Sequence, residues 1–190
     1  MLRHDIIVIG ASAGGVEALQ RFVALLPPGL AAALFVVMHI PALRPSALPK
    51  ILSRSGPLPA FHARHNMVIK QGQIYVAPPD HHLILEQGHV CLGTGPKEHR
   101  VRPAADVLFR SAANVYGPQV VGMVLTGMDG DGTAGLLAVK QCGGITIVQD
   151  PNEAAWPSMP QSALKHVEVD YTVPLSSMAS LLIRLIGPSR

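Results

Sequence analysis

The apolar positions of the chain fall into two alternating rhythms. Ile6-Ile7-Val8-Ile9 is an unbroken apolar run that stops at Gly10. A short run with no polar alternation predicts a strand buried on both faces, as in a parallel sheet. Beyond the Gly10–Gly15 turn the spacing becomes helical: Val16, Leu19, Phe22 and Val23 recur on one face until Pro27-Pro28-Gly29, where the helix must stop. Ala33 to Met38 is a second apolar strand and ends at His39. A strand–helix–strand unit makes the two strands parallel and the crossover right-handed.

The middle of the chain reads differently. Gln73 to Ala77 and His82 to Glu86 have short-strand patterns, and Gln87-Gly88-His89 turns into Val90-Cys91-Leu92. Together they predict an antiparallel hairpin extension of the same domain. The first rhythm then returns. Pro103 stands at the first turn of a helix carrying Val107, Leu108, Ser111 and Ala112, a position proline favours. Gln119 to Leu125 is a buried strand, followed by a glycine-rich loop, a helix over Ala134 to Gln141 and a strand over Ile145 to Val148. Ser158-Met159-Pro160-Gln161 has the S-x-x-Q form of a capping box. A strand near Val167 to Val173 and a helix near Ser177 to Ile186 complete the pattern. The expected fold class is α/β: a doubly wound, mostly parallel sheet flanked by helices, with a short antiparallel hairpin extension. It forms one domain over residues 1–190.

Composition narrows the partners. Of the 190 residues, 48% are hydrophobic and 14% charged, which excludes a disordered chain. The net charge of +3 comes without basic runs interleaved with aromatics, and aromatics are only 4%. A nucleic-acid surface is therefore not expected. The longest apolar stretch, Leu30 to Met38, is far shorter than the roughly 20 residues a membrane helix needs, so no membrane insertion is expected. Cys91 and Cys142 form no C-x-x-C pair. With no visible targeting segment, this suggests a reduced, cytoplasmic protein.

The chemistry gathers at strand ends. Gly10-Ala11-Ser12-Ala13-Gly14 fits G-x-S-x-G between a buried strand and a helix. At such an elbow the serine hydroxyl is lifted clear of the backbone, and the helix N-terminus offers N–H groups to an oxyanion. Glycines at this junction also suit a phosphate loop, so a nucleotide-binding regulatory module using Gly10–Gly15 is an alternative. His39, at the end of the neighbouring strand, lies on the same sheet edge and is a candidate base. The loop Thr126-Gly127-Met128-Asp129-Gly130-Asp131-Gly132 follows a third strand and supplies an orienting carboxylate. The loop does not continue as a calcium site, because Ala134 and Lys140 stand where that motif needs glycine and glutamate. The nine histidines include His62-x-x-His65 and His81-His82, neither on an H-E-x-x-H helix. No metal and no cofactor are expected.

Several of these segments together resemble the CheB family of chemotaxis receptor methylesterases, in its catalytic domain. They are Gly10-Ala11-Ser12-Ala13-Gly14-Gly15, His39-Ile40-Pro41, Ile74-Tyr75-Val76-Ala77-Pro78, Arg102 to Phe109, Leu125-Thr126-Gly127-Met128 with Asp131-Gly132, and Met159-Pro160. The resemblance spans nearly the whole chain in the same order. It implies hydrolysis of glutamate methyl esters on the cytoplasmic helices of methylated chemoreceptors, with deamidation of receptor glutamines as a companion activity. It also implies Ser12 as nucleophile, His39 as base and Asp131 as orienting acid, with Met128 lining the site. The Ala13 N–H is then the first oxyanion donor, and the loop around Met128 supplies a second. Arg102 is a candidate for drawing in acidic receptor helices. The family's usual receiver domain has no counterpart in this sequence: either the sequence is trimmed from a longer chain, or it is a stand-alone relative regulated otherwise, with a separate regulatory or receiver partner as a candidate. An inactive receptor-binding scaffold of the same fold is the remaining alternative.

Overall fold

The computed structural model describes residues 4–39 and 46–187. Ile40 and Pro41 of the His39-Ile40-Pro41 segment lie outside the described residues. In chain order the elements are β1 (Ile6–Ala11), α1 (Gly15–Ala24), β2 (Ala33–Met38), α2 (Leu48–Ser55), β3 (Ala60–His62), β4 (Met67–Val68) and β5 (Ile74–Val76). There follow β6 (His82–Glu86), β7 (His89–Gly93), α3 (Ala105–Tyr116), β8 (Val120–Val124), α4 (Thr133–Gln141) and β9 (Ile145–Gln149). The last are α5 (Ser158–His166), β10 (Tyr171–Val173) and α6 (Leu175–Ile186).

Seven strands make one sheet in the order β10-β9-β8-β1-β2-β5-β3. Every neighbouring pair in it is parallel. All six residues of β1 and all six of β2 are buried, which is why their sequences carry no polar alternation. The faces separate by parity. Ile7 and Ile9 join α1, α2 and α6 residues such as Leu19, Phe22, Leu52 and Met178 in one core. Ile6 and Val8 join Leu108 and Phe109 of α3, Leu136 of α4 and Met159 of α5 in the other. Each of these fully buried side chains contributes about 1.5–3 kcal/mol over an exposed one.

Three expectations need correction. Gln73 to Ala77 is not part of the antiparallel extension. Its core, β5, pairs parallel with both β2 and β3 in the main sheet. The antiparallel unit is a separate sheet, β4-β7-β6. A three-residue strand with every residue buried has no side-chain alternation to reveal its partner. The Ser158 capping box does not form, because α5 begins at Ser158 with Pro157 as its N-cap and no side-chain cap. The Gln161 N–H that the serine hydroxyl would have capped donates instead to the Pro157 carbonyl at 2.8 Å, because the helix starts one residue earlier than the motif requires. Pro103 precedes the first helical turn rather than occupying it, since α3 starts at Ala105.

The strand order reverses at β1. The chain crosses from β1 to β2 on one side, and β8 returns to pair on the other. In an open α/β sheet the crevice beyond such a switch point, at the carboxyl strand ends, is where reacting groups collect. The three loops carrying Ser12, His39 and Asp131 leave from β1, β2 and β8.

Candidate active site

Ser12 follows β1 directly and enters α1 through a tight turn. Gly14 there has φ 73° and serves as the N-cap of α1, in the left-handed region that glycine occupies without penalty. The turn is bound to its neighbour: the Ser12 N–H donates to the Thr126 carbonyl at 3.0 Å, and the Thr126 hydroxyl donates to the Ala13 carbonyl at 3.0 Å. The Trp156 N–H in turn donates to the Thr126 hydroxyl at 2.9 Å. Gly127 packs so closely that a Cβ there would lie 2.0 Å from the Met159 sulfur and 2.9 Å from Ser12 Cβ. Only glycine lets the loop after β8 pass this near the serine.

His39 bridges the two remaining groups. Its Nδ1 lies 3.1 Å from Ser12 Oγ, and its Nε2 lies 2.7 Å from Asp131 Oδ2. The imidazole is about one-tenth exposed and the carboxylate fully buried. Asp131 takes four N–H groups in all. Oδ2 accepts from His39 and from the Ala105 amide at 2.6 Å; Oδ1 accepts from the Asp106 and Gly132 amides, each at 2.9 Å. Burial pushes the Asp131 carboxyl up, but the bonds from His39 and from the Asp106 and Ala105 amides outweigh it. They hold the group below the ordinary carboxylate range. An ionised Asp131 fixes the proton on His39 Nε2 and leaves Nδ1 as the acceptor facing Ser12.

Ala105 and Asp106 are the first residues of α3, so Asp131 sits on the positive end of that helix. Asp106 returns the arrangement: its Oδ1 accepts the Gly135 N–H, in the first turn of α4, at 2.6 Å. Each helix start thus holds the carboxylate that the other helix or its lead-in provides. Asp106 Oδ2 lies 2.7 Å from His99 Nε2, and His99 Nε2 lies 3.9 Å from Asp131 Oδ1. His99, Asp106 and Asp131 therefore cluster with metal-ligand types. Their oxygens already face N–H donors, which a cation would have to displace.

The other predicted residues fall as follows. The described residues supply no hydrogen-bond acceptor to the backbone N–H of Ala13 or of Met128. Met128 is 52% exposed and Trp156 47%, and both flank Gly127, whose N–H donates to the Trp156 carbonyl. Asp129 is not the residue brought to His39; its carboxylate accepts the Asp131 N–H at 3.1 Å and shapes the loop. Arg102 is engaged within its own region. It donates to Asp80 Oδ1 from Nε at 3.1 Å and from Nη2 at 2.7 Å, and from Nη1 to the carbonyls of Thr94 and Gly95. His81 and His82 bond to the carbonyls of Pro79 and Pro96.

Sequence reasoning missed His99, Asp106, Thr126 and Trp156. Asp106 carried a signal, an acid in the first turn of a helix. His99 carried none, being one histidine among nine.

A doubly wound sheet holding a Ser–His–carboxylate chain at its switch point defines the class: a hydrolase built around an activated serine. The family follows from comparison with known proteins. Residues 7–182 match the CheB methylesterase family, and the chain belongs to it. A Methanosarcina mazei protein-glutamate methylesterase/protein-glutamine glutaminase is 33% identical over 96% of this chain and 52% of its own length. A Pyrococcus abyssi protein of the same description is 36% identical over 95% of this chain and 50% of its own. The chain thus spans about half the length of these two relatives. A Leptospira interrogans protein, provisionally named for the same two activities, is 37% identical over 97% of this chain and 96% of its own length. The crystal structure of the Thermotoga maritima CheB methylesterase catalytic domain superimposes with a TM-score of 0.91 at 33% identity. It covers 96% of this chain and 98% of that one. No helix among the described residues is long and apolar enough to cross a membrane.

Proposed function

We propose that this chain hydrolyses the methyl esters of glutamate side chains on the cytoplasmic helices of chemoreceptors, releasing methanol, and deamidates receptor glutamines at the same centre. The observation that carries the reading is His39, held between Ser12 Oγ at 3.1 Å and Asp131 Oδ2 at 2.7 Å. Ser12 Oγ attacks the ester carbonyl while His39 Nδ1 takes the hydroxyl proton. Asp131 keeps the second imidazole proton on Nε2 and stabilises the imidazolium. The N–H groups of Ala13 and Met128, which have no acceptor among the described residues, receive the carbonyl oxygen as it becomes negative. The C–O bond to methoxide breaks as His39 returns the proton, and methanol leaves. Water, deprotonated by His39, then attacks the acyl-enzyme and releases glutamate and Ser12.

Met128 and Trp156 give the site an exposed apolar rim against which a receptor helix can lie. Arg102, with its guanidinium turned to Asp80 and two carbonyls, supports the loop leading into α3 rather than meeting substrate. The domain works in the cytoplasm.

The test is methanol release from membranes carrying methylated chemoreceptors, with wild type and Ser12→Ala compared. The wild type should release methanol, and the variant should be slower by several orders of magnitude, up to about 10⁶-fold. Comparable release by both would sink the nucleophile assignment. Release by neither would sink the substrate.

A further inference from the structure

Beyond the triad lies a second imidazole that its chemistry does not use. His99 stands in the loop before α3, with φ 50°, and Arg100 beside it has φ 65°. This left-handed pair aims the His99 ring back at the start of α3. There its Nε2 meets Asp106 Oδ2 at 2.7 Å and stands 3.9 Å from Asp131 Oδ1. The same Asp131 carboxylate meets His39 through its other oxygen at 2.7 Å. The centre is thus a row of four groups, His99, Asp106, Asp131 and His39, with the two carboxylates in the middle and fully or almost fully buried. The two acids cannot shed this proximity, since each is fixed by amides at a helix start.

Two adjacent buried carboxylates repel unless a cation answers them. The charged groups around His99 leave it that role. From α3 it faces Asp106, and from the loop before α4 it feels Asp131 and the more distant Asp129. Its own loop contributes Glu98, already paired with Arg110 of α3 at 2.5 Å, and the cations Lys97 and Arg100, both exposed and neither ion-paired to Asp106 or Asp131. Arg102, further along the same loop, is held on Asp80.

Resting on the proposed esterase reading, we propose that His99 is a positioning residue for the triad. As an imidazolium it neutralises Asp106, so that His39 faces the single charge of Asp131 rather than the double charge of an Asp106–Asp131 pair. The protonation behaviour of the cluster agrees. Burial alone lowers the affinity of His99 for its proton, but the Asp106 bond and the charges of Asp131, Asp106 and Asp129 outweigh it, and the group is raised. Asp106 is pushed up by burial against the opposing pull of the Gly135 amide and His99. A site arranged this way sets the basicity of its general base from behind the orienting acid, two groups away.

The experiment uses the full chain as His99→Gln, which keeps a donor to Asp106 without charge, and as the double variant His99→Gln/Asp106→Asn, which removes both halves of the pair. NMR titration of the histidine side chains reads His39 directly, whether or not the chain turns over ester. The acid limb of kcat/KM for methanol release from methylated receptors reads it through catalysis. In His99→Gln the His39 titration should move up by about one pH unit, the size expected for removing one charge several ångströms away at an effective dielectric constant of about 20. The acid limb should move with it. In the double variant both should return to the wild-type position. An unmoved His39 in the single variant, or a displacement that persists in the double variant, overturns the proposal. Absence of methanol release from all three proteins would refute the esterase reading and leave the titration to decide this one.

Discussion

Replacing Asp131 with asparagine should separate the two duties of that carboxylate, because its four hydrogen bonds are all donated to it. The donors are His39 Nε2 and Ala105 N on Oδ2, and Asp106 N and Gly132 N on Oδ1. An amide has one accepting end. Pointed one way, the NH2 group meets the Asp106 and Gly132 amides; pointed the other, it meets the Ala105 amide and a His39 that must give up its Nε2 proton. Leaving each buried donor unmatched costs about 1–3 kcal/mol, and losing the charge at the start of α3 costs about 0.3–2 kcal/mol more. The expected destabilisation is about 3–5 kcal/mol, enough to lower Tm by about 10 °C in a domain of this size, within the 5–15 kcal/mol typical of a folded domain. The catalytic loss is larger. With the NH2 turned toward His39, the imidazole must present a lone pair at Nε2 and carry its proton on Nδ1, so nothing accepts from Ser12. With the oxygen turned toward His39, the bond survives but the charge that stabilises the imidazolium is gone. Either outcome lowers kcat by about 10³–10⁴-fold. Urea melts and methanol release from methylated receptors measure the two effects on one sample. A folded Asp131→Asn protein with kcat within about tenfold of wild type would refute the role given to Asp131.

Gly135→Ala should destabilise, although alanine is worth about 1 kcal/mol more than glycine in a helix. The new Cβ would stand 2.5 Å from Phe109 Cβ and 3.0 Å from Asp106 Cα, forcing α3 and α4 apart at a cost of about 1–3 kcal/mol. A chemical melt showing the variant at or above wild-type stability would contradict this. Acid should weaken the fold through Asp131 and Asp170. Burial pushes the Asp170 carboxyl up, but bonds from Lys140 and from the Thr146 amide and hydroxyl hold it below its ordinary value. A lowered carboxylate stabilises above the ordinary value of 3.8 and loses that contribution as the pH falls through its folded value. Asp170→Asn should therefore be less stable than wild type at pH 7, with the gap narrowing as the pH falls below 3.8. A gap independent of pH in paired thermal melts would exclude the charge as its cause.

How much of this was readable beforehand depends on where the physical signal lay. β1, α1 and β2 were legible because Ile6 to Ile9 and Ala33 to Met38 are buried on both faces, while Leu19, Phe22 and Val23 repeat on one side of a helix. The placement of Ser12 and His39 on one edge followed from parallel pairing alone. The place of β5 did not, because Ile74-Tyr75-Val76 is buried throughout and looks the same beside any neighbour. α2 passed unnoticed because Leu48-Pro49-Lys50 opens on a proline in a short segment, and β3 and β4 are too short to show a period. The capping motif at Ser158 failed for a local reason: the helix starts one residue earlier, and the Gln161 N–H that the motif would cap bonds to the Pro157 carbonyl. His99 was invisible because its importance comes from a backbone turn that no local pattern announces.

The sequence separations within the triad carry a consequence for how the site comes into being. Ser12 and His39 are 27 residues apart, but His39 and Asp131 are 92 apart. Asp131 reaches its place only when β8 has slid in beside β1 and the starts of α3 and α4 have exchanged their carboxylates. A chain emerging from synthesis amino end first displays its serine and histidine long before its acid. Such an unfinished chain holds a serine with an unoriented base, and on the proposed reading the arrival of Asp131 completes the chemistry. Hydrolytic competence is in this sense a report that β8 and the starts of α3 and α4 have reached their places.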